Sequence, residues 1–199
     1  MGALPLVFTS GWASGVNAYA TVLVLGLLGR FAGFGDVPQA LQRTDVLIIA
    51  GILALVEFFA DKIPYVDSVW DTISTVIRPV AGAVIGALMA NAQGDLVTIT
   101  LASVGGLTAL VSHLVRASLR LAINTSPEPA SNIAASAGGE VAVVGMTTFA
   151  VLNPIPAAIV AGILLIIGIV LAVLAARQIR RGWRRLRHWR ERRAVGPPA

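Results

Sequence analysis

Between residues 12 and 176 the chain alternates long apolar runs with short polar interruptions. The runs cover roughly 12–33, 45–62, 68–91, 96–123, 130–151 and 155–176. Each is near the ~20 residues that an α-helix needs to cross a bilayer. The interruptions "GFGDVP", "KIPYVD", "NAQGD", "NTSPEP" and "NPIP" are dense in turn formers. This pattern predicts an all-α, polytopic transmembrane bundle of about six hydrophobic helices. The third is amphipathic over its first half and the fifth is rich in Ala and Gly, so these two are the candidates for broken or re-entrant segments. Such segments survive at membrane depth only where protein or a watery cavity covers their backbone. The first run is entered through "TSGWASGVN", whose small residues and Asn17 suit either close helix packing or an unwound stretch, with close packing the favoured reading.

Two stretches start alike. "ALVEFFADKIPYVDSVWDT" begins at Ala54 and "ALVSHLVRASLRLAINTSP" at Ala109. Each is an apolar helix that ends in charge and leads into a Pro-containing turn. A three-plus-three inverted repeat, as in many transporters, would relate them.

Composition sharpens the membrane reading. The chain is 56% hydrophobic and 13% charged, against about 25% charged residues in soluble domains. It has no cysteine, which excludes disulfides, thiolate metal sites and cysteine nucleophiles. His113 and His188 are too few and too far apart for a histidine metal cage. No HExxH, GxSxG or P-loop pattern occurs, so no enzyme activity, metal or cofactor is expected. The start, "MGALPLVFTSGWASG", lacks the basic region of a cleaved signal peptide, and Leu6 breaks the myristoylation pattern.

Charge divides the chain into a transmembrane domain, 1–176, and a basic tail, 177–199. Nine of the fifteen Lys and Arg residues lie in that tail, against one acid, Glu191. By the positive-inside rule the C-terminus is cytoplasmic, and six spans put the N-terminus there too. The protein is then expected in a bacterial cytoplasmic (inner) membrane. In the tail, Arg180, Arg181, Arg184 and Arg185 interleave with Trp183 and Trp189. That composition suits anionic lipid at the membrane surface, and no nucleic-acid fold accompanies it. The apolar first and sixth helices suit lipid, a homo-oligomer or a larger membrane complex.

The costly residues are those inside the apolar runs, where a charge at a helix centre costs about 2.5–3.5 kcal/mol on insertion scales. Residues 56–79 hold four of the ten acidic residues and the only lysine. Glu57 and Asp61, four apart, share a helix face. His113, Arg116 and Arg120 recur at helical spacing and make a basic face. The simplest packing sets one against the other, with Lys62, Asp67, Asp71 and Arg78 near. Two readings are open: an ion-pair staple that fixes helix packing, or a polar cavity that binds or conducts a solute. Arg78, beside Pro79, suits an anion or a partner carboxylate. Asn124, Ser126 and Glu128 lie in the oxygen-rich "NTSPEPASN", which either caps the next helix or dips into the cavity. Glu140 follows two glycines in "ASAGGEVAVVG" and is a candidate proton site.

The segments "SGVNAY", "VEFFADKIPYVDSVWDTISTVIRPVAGA" and "INTSPEPASN" carry a resemblance. With Val56 where Leu is more common, the chain resembles the bacterial membrane family catalogued as domain of unknown function 4126. The resemblance spans roughly residues 8–175. It implies that Asn17, Glu57, Asp61, Lys62, Asp67, Trp70, Asp71, Arg78, Pro79, Asn124, Ser126, Pro127 and Glu128 occupy signature positions, and it implies no activity. The short "IRPVAGAVIGALM" is also similar to the Arg-Pro and glycine pattern of DedA-type lipid transporters. The expectation is therefore a small transporter or channel-like protein with a charged, cytoplasm-facing cavity. The alternative is a non-transporting membrane subunit or scaffold whose ion pairs are structural.

Overall fold

The computed structural model describes residues 3–63, 66–91, 93–124 and 129–194, apart from some side chains within the helices. These residues form α1 (Leu4–Val16), α2 (Ala18–Ala32), a 3-10 turn (Gln39–Gln42), α3 (Thr44–Ala60), α4 (Val66–Met89), α5 (Asp95–Asn124), α6 (Pro129–Leu152) and α7 (Pro154–Ala194). No strand occurs among the described residues. Segments of α4, α5, α6 and α7 are each long and apolar enough to cross a membrane. With its 17 residues α3 rises about 25 Å, close to the ~30 Å of a hydrocarbon core.

The first expected span is two helices. Asn17 adopts an extended backbone, φ −151° and ψ 105°, and interrupts the helical ladder. Its N–H still donates to the Ala13 carbonyl (2.9 Å), which closes α1. Its Oδ1 accepts from the Ala20 N–H (2.8 Å), which caps α2. The two helices then double back. Ala3 and Leu6 at the start of α1 line one cavity with Gly35–Gln39 beyond α2, and the same cavity meets Met89, Asn91 and Pro154. The hairpin thus begins and ends at the bundle end that holds the α4–α5 and α6–α7 turns. The 13 residues of α1 rise about 20 Å, so the Asn17 tip stops part-way across.

This changes the expected topology. The re-entrant element is α1–α2, whereas the third and fifth expected spans are the unbroken helices α4 and α6. Pro79 lies within α4 without ending it. Residue 3 lies at the end opposite the basic tail, because a hairpin changes the parity of the crossings. Four helices precede the α4–α5 turn and three follow it, the extra one arising from the break at Asn17.

Small residues let α1, α4 and α5 approach closely. A methyl group on Gly105 would lie 2.2 Å from the Gly82 carbonyl oxygen, and one on Gly11 would lie 2.7 Å from the Gly105 oxygen. Packing of this kind replaces the hydrophobic drive that lipid removes. By contrast α3 is peripheral: it packs on α2, the 3-10 turn and α4. Its outer face, with Ile48, Ile49, Ile52, Leu55 and Phe59, is exposed. The last helix continues without a break from the apolar run into the basic segment, 41 residues in all, or about 60 Å.

Candidate functional site

Arg78 organises the interior. It lies eleven residues before the end of α4, about 16 Å along the axis and so near the bilayer midplane. Only 1% of it is exposed. Nη2 pairs with Glu57 Oε1 of α3 and lies 3.6 Å from Asp71 Oδ1. Nη1 donates to His113 Nδ1 (2.7 Å) and to the carbonyl of Gly15 (3.4 Å), which lies just before the hairpin tip. The Ser14 hydroxyl donates to the Arg78 carbonyl (3.1 Å), tying α1 to α4 from the other side. A guanidinium only donates, so His113 Nδ1 accepts and the ring is the neutral Nε2–H tautomer. Nε2 then donates to Thr75 Oγ1 at 3.0 Å.

A second layer sits one to two turns closer to the tail end. Arg116 pairs with Asp61, with Asp71 at 3.2 Å and with Glu57 at 3.8 Å. Arg120 reaches Asp61 Oδ1 at 2.7 Å and the Asp61 carbonyl at 2.8 Å, and Asp71 Oδ2 at 3.9 Å. Among the described residues, three carboxylates, Glu57, Asp61 and Asp71, therefore face three guanidiniums, Arg78, Arg116 and Arg120. Glu57, Asp61 and Arg78 are each 1% exposed, whereas Asp71 and Arg116 reach 14% and 16%.

The acidic stripe of α3 does meet the basic stripe of α5, through long side chains. Arg78 of α4 takes the main contact with Glu57. Glu57 and Asp61 thus tie α3 to the interior by charge, beside the apolar packing of Leu47 and Ala50. Lys62 turns back on α3, where Nζ donates to the Phe58 carbonyl (3.0 Å) and lies over the Phe58 ring. Several buried polar atoms have no protein partner: Glu57 Oε2, Arg78 Nε, Trp70 Nε1, Ser10 Oγ, Thr147 Oγ1, Ser136 Oγ and Glu140 Oε1. Glu140 belongs to α6 beside the hairpin tip, where a methyl on the preceding Gly139 would lie 3.6 Å from Val16.

The cavity that touches this network has a volume of about 320 Å³ and lies among α1, α5, α6 and α7. Its charged lining is Arg116 and Arg120. Glu57, Asp61, Asp71, Arg78 and His113, expected to line a cavity, do not line this one and are closed against one another. Ser126 and Glu128, and the side chains of Asp67 and Asn124, lie outside the described residues. So do the side chains of Trp183, Arg184, Arg185 and Trp189, while Arg180 and Arg181 are exposed. Three participants carry no charge and escaped the sequence reading: Ser14, the Gly15 carbonyl and Thr75. The signal for Ser14 and Gly15 was the small-residue spacing of "GWASG", which admits a second helix to backbone contact, and Thr75 carried none.

These features define a polytopic, all-helical membrane protein with an N-terminal helical hairpin broken at Asn17 and a buried ion-pair network. The chain belongs to the family described as a domain of unknown function, DUF4126, which matches residues 4–174. No curated protein and no solved structure matches it.

Proposed function

We propose that the protein is a small transporter or channel-like protein for an ion, a small polar solute or a lipid head group, with the ion-pair network as its closed gate. The observation that carries this reading is the break at Asn17, which ends two half-helices beside Arg78 near mid-membrane. Transporters place binding sites where helices are interrupted at that depth, and irregular backbone is tolerated there only beside protein or a polar cavity. Energetics point the same way. Burying six ionised groups is an expensive way to hold helices together, since apolar side chains of similar volume often do as well or better. In this reading Glu57 and Asp61 release Arg78, Arg116 and Arg120 as α3 swings outward, and Glu140 is the candidate proton site. The positive-inside rule puts the Arg-rich end of α7 in the cytoplasm of a bacterial cell. No cofactor and no catalytic step are assigned.

A second reading has its own support. The charges pair directly, as in a staple that fixes helix register in a non-transporting subunit or scaffold. The absence of native cysteine makes the test direct. Single cysteines at Ser14, Asn17 and Thr147 are treated in intact membranes with a charged, water-soluble thiol reagent. Transport requires labelling at these depths, and it requires that Asp61→Asn change solute flux in reconstituted vesicles. Unlabelled cysteines together with unchanged flux would leave the staple.

A further inference from the structure

The cavity among α1, α5, α6 and α7 lies where α1 stops short. Trp12 and Val16, in the last two turns of α1, close it on one side, while α5, α6 and α7 run past that point to the tail end. Its α5 wall extends from Ser112 to Ile123, with Arg116 and Arg120 in the middle. Both arginines are already answered, because each pairs with Asp61 and Asp71. Most of the remaining lining is apolar, including Leu119 of α5 and Leu164 and Leu165 of α7. Ser112 gives its hydroxyl to the Trp12 carbonyl (2.8 Å). Ser136 of α6 differs from it: only 6% of the residue is exposed, and its hydroxyl has no protein partner. A buried hydroxyl left unanswered is unfavourable, and a hydrogen-bonding group that arrived there would relieve that cost.

Depth and access narrow the choice of ligand. Ser136 lies seven residues into α6, about 10 Å along the axis. The whole helix rises about 36 Å against a hydrocarbon core of ~30 Å, so Ser136 sits inside the hydrocarbon. An ionised head would lose its hydration there and find no free counter-charge. A hydroxyl or carbonyl meets no such penalty, because Ser136 can donate to it or accept from it. Ile167 and Leu171 of α7 also line the cavity and are about half exposed, so the space opens sideways to the bilayer. At about 320 Å³ it is at the low end of small-molecule sites, which run from about 300 to 1,000 Å³. That size suits one chain and not the pair of chains of a phospholipid. We infer that this cavity binds a neutral, single-chain lipid whose small head carries a hydroxyl or carbonyl group. The head bonds to Ser136 and the chain leaves past Ile167 and Leu171. Selectivity rests on Ser136, since a chain gains little by moving from lipid to an apolar wall. The site stands whether or not the protein moves what it binds.

The test uses the full chain in phosphatidylcholine nanodiscs and a hexadecanol with a mid-chain diazirine, with labelled residues mapped by mass spectrometry. Labelling is expected on Leu119, Leu164 and Leu165, and unlabelled hexadecanol is expected to displace it. The matching palmitate probe, ionised at alkaline pH, should label these residues about ten-fold less, as a carboxylate without a free counter-charge requires. Ser136→Ala keeps the shape of the cavity and removes its hydrogen bond, so labelling should fall about three- to ten-fold. Ala135→Trp and Leu165→Trp fill the space from different helices, and each is expected to abolish labelling while the protein elutes as the wild type does. Equal labelling by palmitate, an unchanged signal in Ser136→Ala, or labelling that survives in both tryptophan variants would overturn the inference. So would label spread over Ile48, Ile52 and Phe59 on the outer face of α3. A signal that unlabelled hexadecanol does not displace would assign the space to a phospholipid chain of the bilayer and overturn it as well. The cysteine-accessibility experiment reads other residues, so failure here leaves the gate reading intact.

Discussion

Replacing Glu57 by glutamine isolates the contact on which α3 depends. In the folded protein Glu57 and Arg78 are both 1% exposed and directly paired. The substitution leaves the shape nearly unchanged and strips a buried guanidinium of its nearest anion. Removing one partner of a buried pair costs about 3–5 kcal/mol, because the remaining charge stays desolvated. Asp71 stands 3.6 Å from Arg78, and the Gln carbonyl can still accept a hydrogen bond, so the low end, about 3 kcal/mol, is expected. Adding Arg78→Gln removes the stranded charge. The double variant should then be more stable than the sum of the singles by roughly 1–3 kcal/mol. Reversible denaturation in mixed micelles, followed by tryptophan fluorescence, measures both quantities. Hydrogen exchange gives an independent readout: protection over residues 47–60 should fall while that of α5 near Gly105 persists, because α3 lacks the glycine seam. A Glu57→Gln variant within about 1 kcal/mol of wild type, with α3 protection unchanged, would refute the idea that charge secures this helix.

Other positions give contrasting expectations. Asn17→Ala removes the hydrogen bond to the Ala20 N–H (2.8 Å) and should lower stability by about 1 kcal/mol in the same denaturation assay. Gly105→Val places side-chain atoms where the Gly82 oxygen already stands, 2.2 Å from a first methyl, so the variant is expected to lose the folded peak in size-exclusion chromatography. Arg43 and Asp45 are paired at 2.6 Å but exposed by more than half; their joint neutralisation should leave the denaturation curve where it is for the wild type. In the proposed orientation the C-terminus is cytoplasmic, and replacing Arg180, Arg181, Arg184 and Arg185 with Gln should weaken that bias, read by a compartment-specific reporter fused there.

Much of the architecture was legible in the chain. Apolar length alone marks α3 through α7, because a bilayer sets a minimum run that few other structures need. The spacing of Glu57 with Asp61, and of His113 with Arg116 and Arg120, places acid and base on separate helical stripes that pair most simply with each other. The polar interruptions located the turns, and the Arg-rich end stood out as distinct from the apolar body. These properties are local: they follow from helix period, composition and the cost of charge in hydrocarbon.

What the tertiary structure decided is which charge meets which, and where the chain turns back. Helical period gives Arg78 a face but not a partner; the approach of α1, α4 and α5 through Gly11, Gly82 and Gly105 brings His113 and the Gly15 carbonyl to it, and the packing of α3 on α4 brings Glu57. The hairpin was hidden because "LPLVFTSGWASGVNAYATVLVLGLL" is apolar and helix-compatible on both sides of Asn17. Only the return of α2 to the end from which α1 starts identifies the break as a reversal. Such a reversal depends on what the chain packs against, so one residue's identity does not fix it.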